Sequence, residues 1–277
     1  MTTTQQGRII ETLHTKATID PAEEVAFRVK FLKDYVTHSH MHGFVLGISG
    51  GQDSSLAGRL CQMAVEELRT QTGQDYLFIA LRLPYGMQQD EEDAQRALQF
   101  IAPDKTYTVN IQPAVDGAVA SFEKATGLKM TDYNRGNQKA QERMTVHYRF
   151  ANQFNVLVVG TDHAAEAVAG FFTKYGDGGV DLTPLTGLTK QQGSSLLKYL
   201  GADERIYTKP PTAGLLDNNP GQLDEDELRI SYKMIDAYLE GKEIPSEIAQ
   251  HIERLYNATE HKRNVPVTPF DTWWKTE

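Results

Sequence analysis

At 277 residues and 31.0 kDa, 40% hydrophobic and 23% charged, the chain is long enough to bury a real core, which excludes disordered and fibrous classes. Its 28 Lys and Arg stand against 37 Asp and Glu, and the resulting net charge of -9 repels polyphosphate backbones, so nucleic acid is a poor partner. The single cysteine, Cys61, can form neither an intramolecular disulfide nor a thiolate zinc site, and with no stretch near the ~20 apolar residues of a membrane span and a polar start from Met1 to Arg8, the expectation is a cytoplasmic protein without membrane contact.

Residues 1–40 read as a helical arm. Ile9, Ile10 and Leu13 share a face, and after Asp20-Pro21, an N-cap with proline at N1, Val25, Val29 and Leu32 recur at helical spacing. Phe44 to Ile48 is a short apolar run ending in glycines, hence a buried strand, and Leu56, Leu60, Met63 and Leu68 then mark a helix that packs back on it. The alternation continues with a strand over 76–81, a helix over 90–100, a strand over 106–109, a helix over 114–124, a long polar helix over 137–150 and a strand over 156–159. Nearly all-apolar strands alternating with helices predict a doubly wound parallel α/β sheet flanked by helices, with ligands at the carboxyl ends of the strands.

Beyond Gly160 the chain is rich in Gly and Pro and shows one clear helix, 189–200. Asp224 with Glu227 reads as a capping box opening a helix with a Leu228, Tyr232, Ile235 and Leu239 stripe, and a last helix over 246–260 ends in His261-Lys262-Arg263. Without repeats or low-complexity segments the chain reads as one domain: an arm (1–40), a nucleotide-binding α/β core (43–200), and a lid loop with C-terminal helices (201–277).

The chemistry concentrates in Gly47-Ile48-Ser49-Gly50-Gly51-Gln52-Asp53-Ser54, a loop between the strongest strand and a helix N-terminus, which is a geometry that binds phosphate. It lacks the lysine of a P-loop and the spacing of a dinucleotide fingerprint. A carboxylate at Asp53 would repel phosphate unless a cation such as Mg2+ lies between them; the other reading makes Ser-Gly-Gly a tight turn and Asp53 a helix cap. Phe171 and Phe172 read equally as a stacking pair or a core pair, and His38, His40 and His42 as a solvated turn rather than a metal site.

The segment Ser49 to Ser54 resembles the SGGxDS signature of N-type ATP pyrophosphatases, enzymes that split ATP between its α and β phosphates. Five further blocks resemble the ammonia-dependent NAD synthetase family: Leu83 to Gly86, Gly160 to Glu166, Gly170 to Gly179, Lys209 to Ala213 and Thr259 to Arg263. The resemblance implies an adenine nucleotide alpha hydrolase-like fold and ATP-dependent amidation of deamido-NAD to NAD through an adenylated carboxylate. It implies that Gly47, Ile48, Ser49, Gly50, Gly51, Gln52, Asp53, Ser54, Thr161, Lys190 and Thr212 bind ATP, and that Asp53 and Glu166 hold Mg2+. It further implies that Gln141, Lys174, Asp181, His261 and Lys262 bind deamido-NAD, and that Asp53 and Lys190 serve the chemistry. Asp177, in a glycine-flanked loop, reads as a candidate catalytic proton acceptor for ammonium or only as the cap of a turn. Where the family usually has an arginine, this chain has Gln141.

An ammonium at Lys190, in the first turn of a helix, opposes that helix's dipole and is better explained by a bound polyphosphate than by chance, although a solvated lysine is the plainer reading. Glutamine as nitrogen source needs a nucleophilic cysteine and a domain around it. Cys61 sits in a core-like helical pattern, so free ammonia is the expected donor and no glutaminase domain is expected. The resemblance also implies a homodimer. The rival readings are another adenylating enzyme of this loop class and a non-catalytic nucleotide-binding module. The segments 83–89 and 202–224 flank the predicted binding residues and are expected to act as lids.

Overall fold

The structure, a computed structural model, describes residues 4–86, 91–212, 214–218, 221–264 and 266–275. Helices α1 (Gln5–Thr12) and α2 (Pro21–His38) precede β1 (Gly43–Gly47). Then α3 (Gln52–Thr72) leads to β2 (Leu77–Arg82), α4 (Glu91–Ile101) to β3 (Lys105–Thr108), and α5 (Gln112–Thr126) with α6 (Asp132–Phe154) to β4 (Leu157–Val158). Seven shorter helices follow: α7 (Ala164–Ala169), α8 (Lys190–Tyr199), α9 (Glu204–Thr208), α10 (Asp224–Leu228), α11 (Tyr232–Leu239), α12 (Ser246–Ala258) and α13 (Glu260–Arg263). No helix among the described residues is long and apolar enough to cross a membrane.

The four strands are parallel in the order β3-β2-β1-β4. Because successive side chains on a strand face opposite sides, Phe44, Leu46, Phe78 and Ala80 pack with Val29, Leu32, Leu60 and Leu196 of α2, α3 and α8, while Val45, Ile79 and Leu81 meet Val115 and Val146 of α5 and α6. Both faces are covered, which is why the strands carry no polar alternation. A fully buried leucine such as Leu60 contributes about 1.5–3 kcal/mol. A third, helical cluster joins Ile9 of α1 with Val168, Tyr238 and Ile252 of α7, α11 and α12. The chain winds outward from β1 to β3 and returns to the opposite side of β1 for β4. The strand order therefore reverses between β1 and β4, and a crevice opens at their carboxyl ends, where such sheets bind ligands.

Local rules explain most boundaries. The Asp20 side chain accepts from the Glu23 amide at 3.0 Å with proline at the first helical position, so α2 starts as its sequence dictates. Several expectations need correction. The polar helix is α6 and begins at Asp132, because Thr131 caps it through the Asn134 amide. The segment read as holding one helix holds α7 and α9 as well; α7 is six residues long, too short to show a period, and Gly170 stops it at φ 62°. The capping box at Asp224 and Glu227 does not form, and the expected single helix is two. Arg229 adopts a left-handed φ of 56° and ends α10, after which Glu225 accepts from the Tyr232 amide at 2.7 Å and caps α11 instead. The final helix breaks at Thr259, so His261, Lys262 and Arg263 occupy α13. Of the expected lid segments and the helix start at 90, residues 87–90, 213, 219 and 220 lie outside the described residues.

Candidate active site

The glycine loop is tied from within. The Ile48 amide donates to the Leu81 carbonyl at 2.8 Å, extending β1 by one residue. Gly50 then turns at φ 85° and Gly51 opens α3. The Ser49 amide donates to Ser54 Oγ at 3.3 Å, the Gly51 amide to Ser49 Oγ at 3.2 Å, and Ser55 Oγ to the Gly51 carbonyl at 2.7 Å. Gly51 supplies no side chain to cap α3, so the first-turn amides of Gln52, Asp53 and Ser54 lie beyond the reach of intrahelical acceptors. A helix N-terminus opened this way favours an anion.

Against it stands a buried charge cluster. Lys190 Nζ, from α8, donates to Asp53 Oδ2 at 2.7 Å and lies 5.0 Å above the Tyr232 ring. Asp53 Oδ1 faces His163 Nε2 at 3.6 Å, and the same nitrogen is 3.6 Å from Glu166 Oε1 on α7. Burial alone would raise the Asp53 carboxyl, but Lys190 and His163 hold it below its ordinary value. For Glu166 the balance runs the other way: burial, then the charge of Asp53, push it well above the usual carboxylate range, although the more distant Lys190 charge opposes the shift. Asp162, whose Oδ1 has no hydrogen-bond partner, is raised by burial and by Asp177 to about 7. Burial also pushes His163 down to about 4, which leaves its ring neutral. Excess carboxylate packed this closely fits a divalent cation, and Asp53, His163 and Glu166 bring one ligand atom each within 4.8 Å of one another.

Lys190 is held from behind. Asp236 of α11 accepts the Lys190 and Gln191 amides at 3.0 and 2.8 Å, while Thr189 and Gln192 close a capping box on α8. Gln52 of the loop donates to the Lys190 carbonyl at 2.8 Å, so α3 and α8 are joined beside the charge pair. The dipole of α8 is thus answered by Asp236, and the Lys190 side chain turns toward Asp53.

A second cavity of about 400 Å3 lies between α6 and the turn after α7, lined among others by Tyr133, Asn137, Gln141, Lys174 and Lys262. Three residues expected at the dinucleotide therefore line one cavity. Lys262 Nζ donates to the Gly170 and Phe172 carbonyls at 2.8 and 2.7 Å and sits over the Phe172 ring, while Lys174 Nζ donates to the His261 carbonyl at 3.0 Å. Phe171 packs against the helical cluster of α7, α11 and α12, as the core reading expects, while the Phe172 ring lies under Lys262 Nζ. Asp177 accepts from the Thr173 amide at 2.8 Å, and its charge reaches Glu166 and Asp162 on one side and Lys262 on the other. It stands between the charge cluster and the cavity. Asp181 is committed elsewhere, to the Val158 amide at 2.8 Å and the Tyr148 hydroxyl at 3.0 Å, and it does not line the cavity. Thr161 follows β4 at the crevice, and Thr212 is exposed, bridged to Leu223. Arg143 Nε donates to the Leu83 carbonyl at 3.2 Å, a contact to the loop after β2.

That loop and the strap around residues 209–224 are latched to the same stretch of α6. Tyr85 lies under Lys139 Nζ at 4.5 Å and shares its hydroxyl with Asp116 and Arg135. Lys139, almost wholly buried, and Arg135 both pair with Asp217, while Asp132 accepts the Asp217 and Asn218 amides. Asp217 itself is partly exposed and the Lys139 ammonium keeps the Tyr85 ring, so removing Asp217 costs less than breaking a wholly buried pair. Asp217→Ala is expected to release the strap, so that limited proteolysis cuts between Thr212 and Leu223 about tenfold faster while global melting stays within a few degrees. Equal cleavage rates would show that the strap is held elsewhere.

His163, Tyr232, Asp236 and the latch were not assigned from the sequence. His163 had a signal, since it lies between Thr161 and Glu166 in one of the blocks; the others are joined to the site only by long-range contacts.

The NAD synthase family model matches residues 24–266. The chain is 57% identical over 270 residues to the NH3-dependent NAD+ synthetase of Bacillus subtilis, covering 98% of this chain and 99% of that protein. Among solved structures it is similar to the NAD+ synthetase of Burkholderia pseudomallei, with TM-score 0.81, 45% identity and coverage of 96% and 99%. It is also similar to the NMN synthetase of Francisella tularensis, with TM-score 0.79, 36% identity and coverage of 92% and 100%.

Proposed function

Because this chain belongs to the NAD synthase family, we propose that its crevice amidates the carboxylate of deamido-NAD with free ammonia at the expense of ATP, giving NAD, AMP and diphosphate. A carboxylate resists ammonia because oxide is not a leaving group. Its oxygen first displaces diphosphate from the α phosphorus, ammonia then attacks the activated carbonyl carbon, AMP departs and the nitrogen gives up a proton. The observation that carries this reading is the meeting, at the β1–β4 reversal, of the open N-terminus of α3, the Asp53–Lys190 pair and the lysine-lined cavity.

In this scheme residues 47–54 cradle the phosphates of ATP, with Thr161 and Thr212 as further contacts, and Lys190 neutralises the charge that grows on the departing diphosphate. Asp53 and Glu166 would hold Mg2+, which supplies charge neutralisation and alignment of the phosphates when bound. Gln141, Lys174, His261 and Lys262 position the dinucleotide, with Asp181 on the strand side, and Asp177 takes the proton from nitrogen. Gln141 offers hydrogen bonds where the family usually has a charge, so the lysines carry the anionic part of the dinucleotide.

Ammonia as donor is supported by the curated relatives and by Cys61, which is fully buried with its thiol pushed up by burial and so unable to act as a nucleophile. A homodimer is supported by the outer face of α2, where Phe27, Phe31 and Tyr35 recur every fourth residue and stay exposed. The assay that tests the activity measures diphosphate release from ATP. Release should require deamido-NAD, ammonia and Mg2+ together, and glutamine in ammonia-free buffer should not replace ammonia. Release with a different acceptor, or none, would reject the reading.

A further inference from the structure

His163 is oddly provisioned. It is 3% exposed, and neither ring nitrogen has a hydrogen-bond partner among the described residues, although buried polar atoms are nearly always paired. Its Nε2 is equidistant, at 3.6 Å, from Asp53 Oδ1 and Glu166 Oε1, too far for hydrogen bonds and suited to a shared centre. Asp53 divides its oxygens: Oδ2 serves Lys190 and Oδ1 faces the imidazole. The ring is also fixed in place, since the His163 carbonyl accepts the Glu166 and Ala167 amides at the start of α7 and Tyr232 packs 6.2 Å from its centroid.

We propose that His163 is a nitrogen ligand of the divalent cation, completing a three-point set with Asp53 and Glu166. The proposal rests on the reading of those carboxylates as the cation site. It has a chemical consequence: imidazole adds little for Mg2+, a hard ion that prefers oxygen, and more for Mn2+ or Co2+. The site should therefore discriminate among divalent ions more strongly than two carboxylates alone would.

The test uses Mn2+ added to the whole, nucleotide-free protein, with binding followed by electron paramagnetic resonance and the ligands by electron spin-echo modulation. The wild type should show modulation from a directly bonded 14N that disappears in His163→Gln, and the variant should bind Mn2+ more weakly by at least the roughly ten- to hundredfold that loss of an outer-shell partner costs, with a much smaller change for Mg2+. Bound Mn2+ that depends on Asp53 yet shows no nitrogen coupling would overturn the role of His163 alone. Failure of Mn2+ to bind, or binding indifferent to Asp53→Asn, would overturn the cation site itself. Because the nitrogen signal is read on the wild type, a variant that folds poorly does not blunt the test.

Discussion

Replacing Asp53 by Asn is expected to lower diphosphate release by roughly a thousandfold, the loss typical when one preorganised charge is removed from a transition-state site, while changing stability by no more than about 1–2 kcal/mol. Asp53 is the residue on which the cluster's charges converge: Lys190 reaches it at 2.7 Å, His163 faces its other oxygen, and its charge helps to raise Glu166. An amide keeps the size and one acceptor but removes the charge that would hold a cation and set the Lys190 ammonium. The stability terms oppose each other. Lys190 loses its closest anion yet keeps Glu166 and Asp224, which together with Asp53 hold its pKa above the ordinary value despite burial. Glu166 in turn loses a repulsive neighbour. Steady-state kinetics and thermal melting on the same preparation decide the matter. Near-normal turnover would remove Asp53 from the chemistry, and a drop in turnover matched by collapse of the fold would make its role structural.

What the sequence made legible follows from range. Buried parallel strands write themselves as continuous apolar runs, so β1 and β2 were readable to within a residue, and the loop at 47–54 lies between a strand and a helix whose signals are both local. Asp20-Pro21 worked for the same reason. Asp224 and Glu227 did not, because a capping box competes with tertiary structure: Asp224 is buried, with the Tyr232 hydroxyl 3.3 Å from its carboxylate, and Arg229 in a left-handed conformation ends the helix one turn later. The helix α7 is six residues, four of them alanine, too short to show a period. Within the site, the residues proposed for metal and ATP are adjacent in sequence to recognisable blocks, whereas the Asp236 clamp on Lys190 spans 46 residues and the Lys139–Asp217 latch 78. Pairings of that range have no periodic or local signature, so they belong to the packed structure alone.

Gly50→Ala is expected to abolish productive ATP binding, raising the KM for ATP at least a hundredfold. The reason is double. Gly50 turns at φ 85°, a conformation that costs an L-residue roughly 1–2 kcal/mol. A Cβ there would also lie 2.6 Å from the Ala94 nitrogen and 2.7 Å from the Asp93 carbonyl carbon. Those are backbone atoms of the first turn of α4 and cannot rotate aside, so either the loop or the helix must move. Movement of α4 has a further consequence, because Asp93 pairs with Arg205 at 2.8 Å and Lys209 at 3.0 Å, where the strap begins. Phosphate cradle and strap would be displaced together. Gly73→Ala provides the control at the other end of α3: it too has positive φ, 69°, but a Cβ there meets nothing within 4 Å. It should cost about 1 kcal/mol of stability and leave the KM for ATP unchanged. If both alanines weakened ATP binding alike, backbone conformation rather than the contact with α4 would be setting the loop. If neither did, the loop would have room to shift, and the close fit between Gly50 and α4 would have no part in holding the phosphate site.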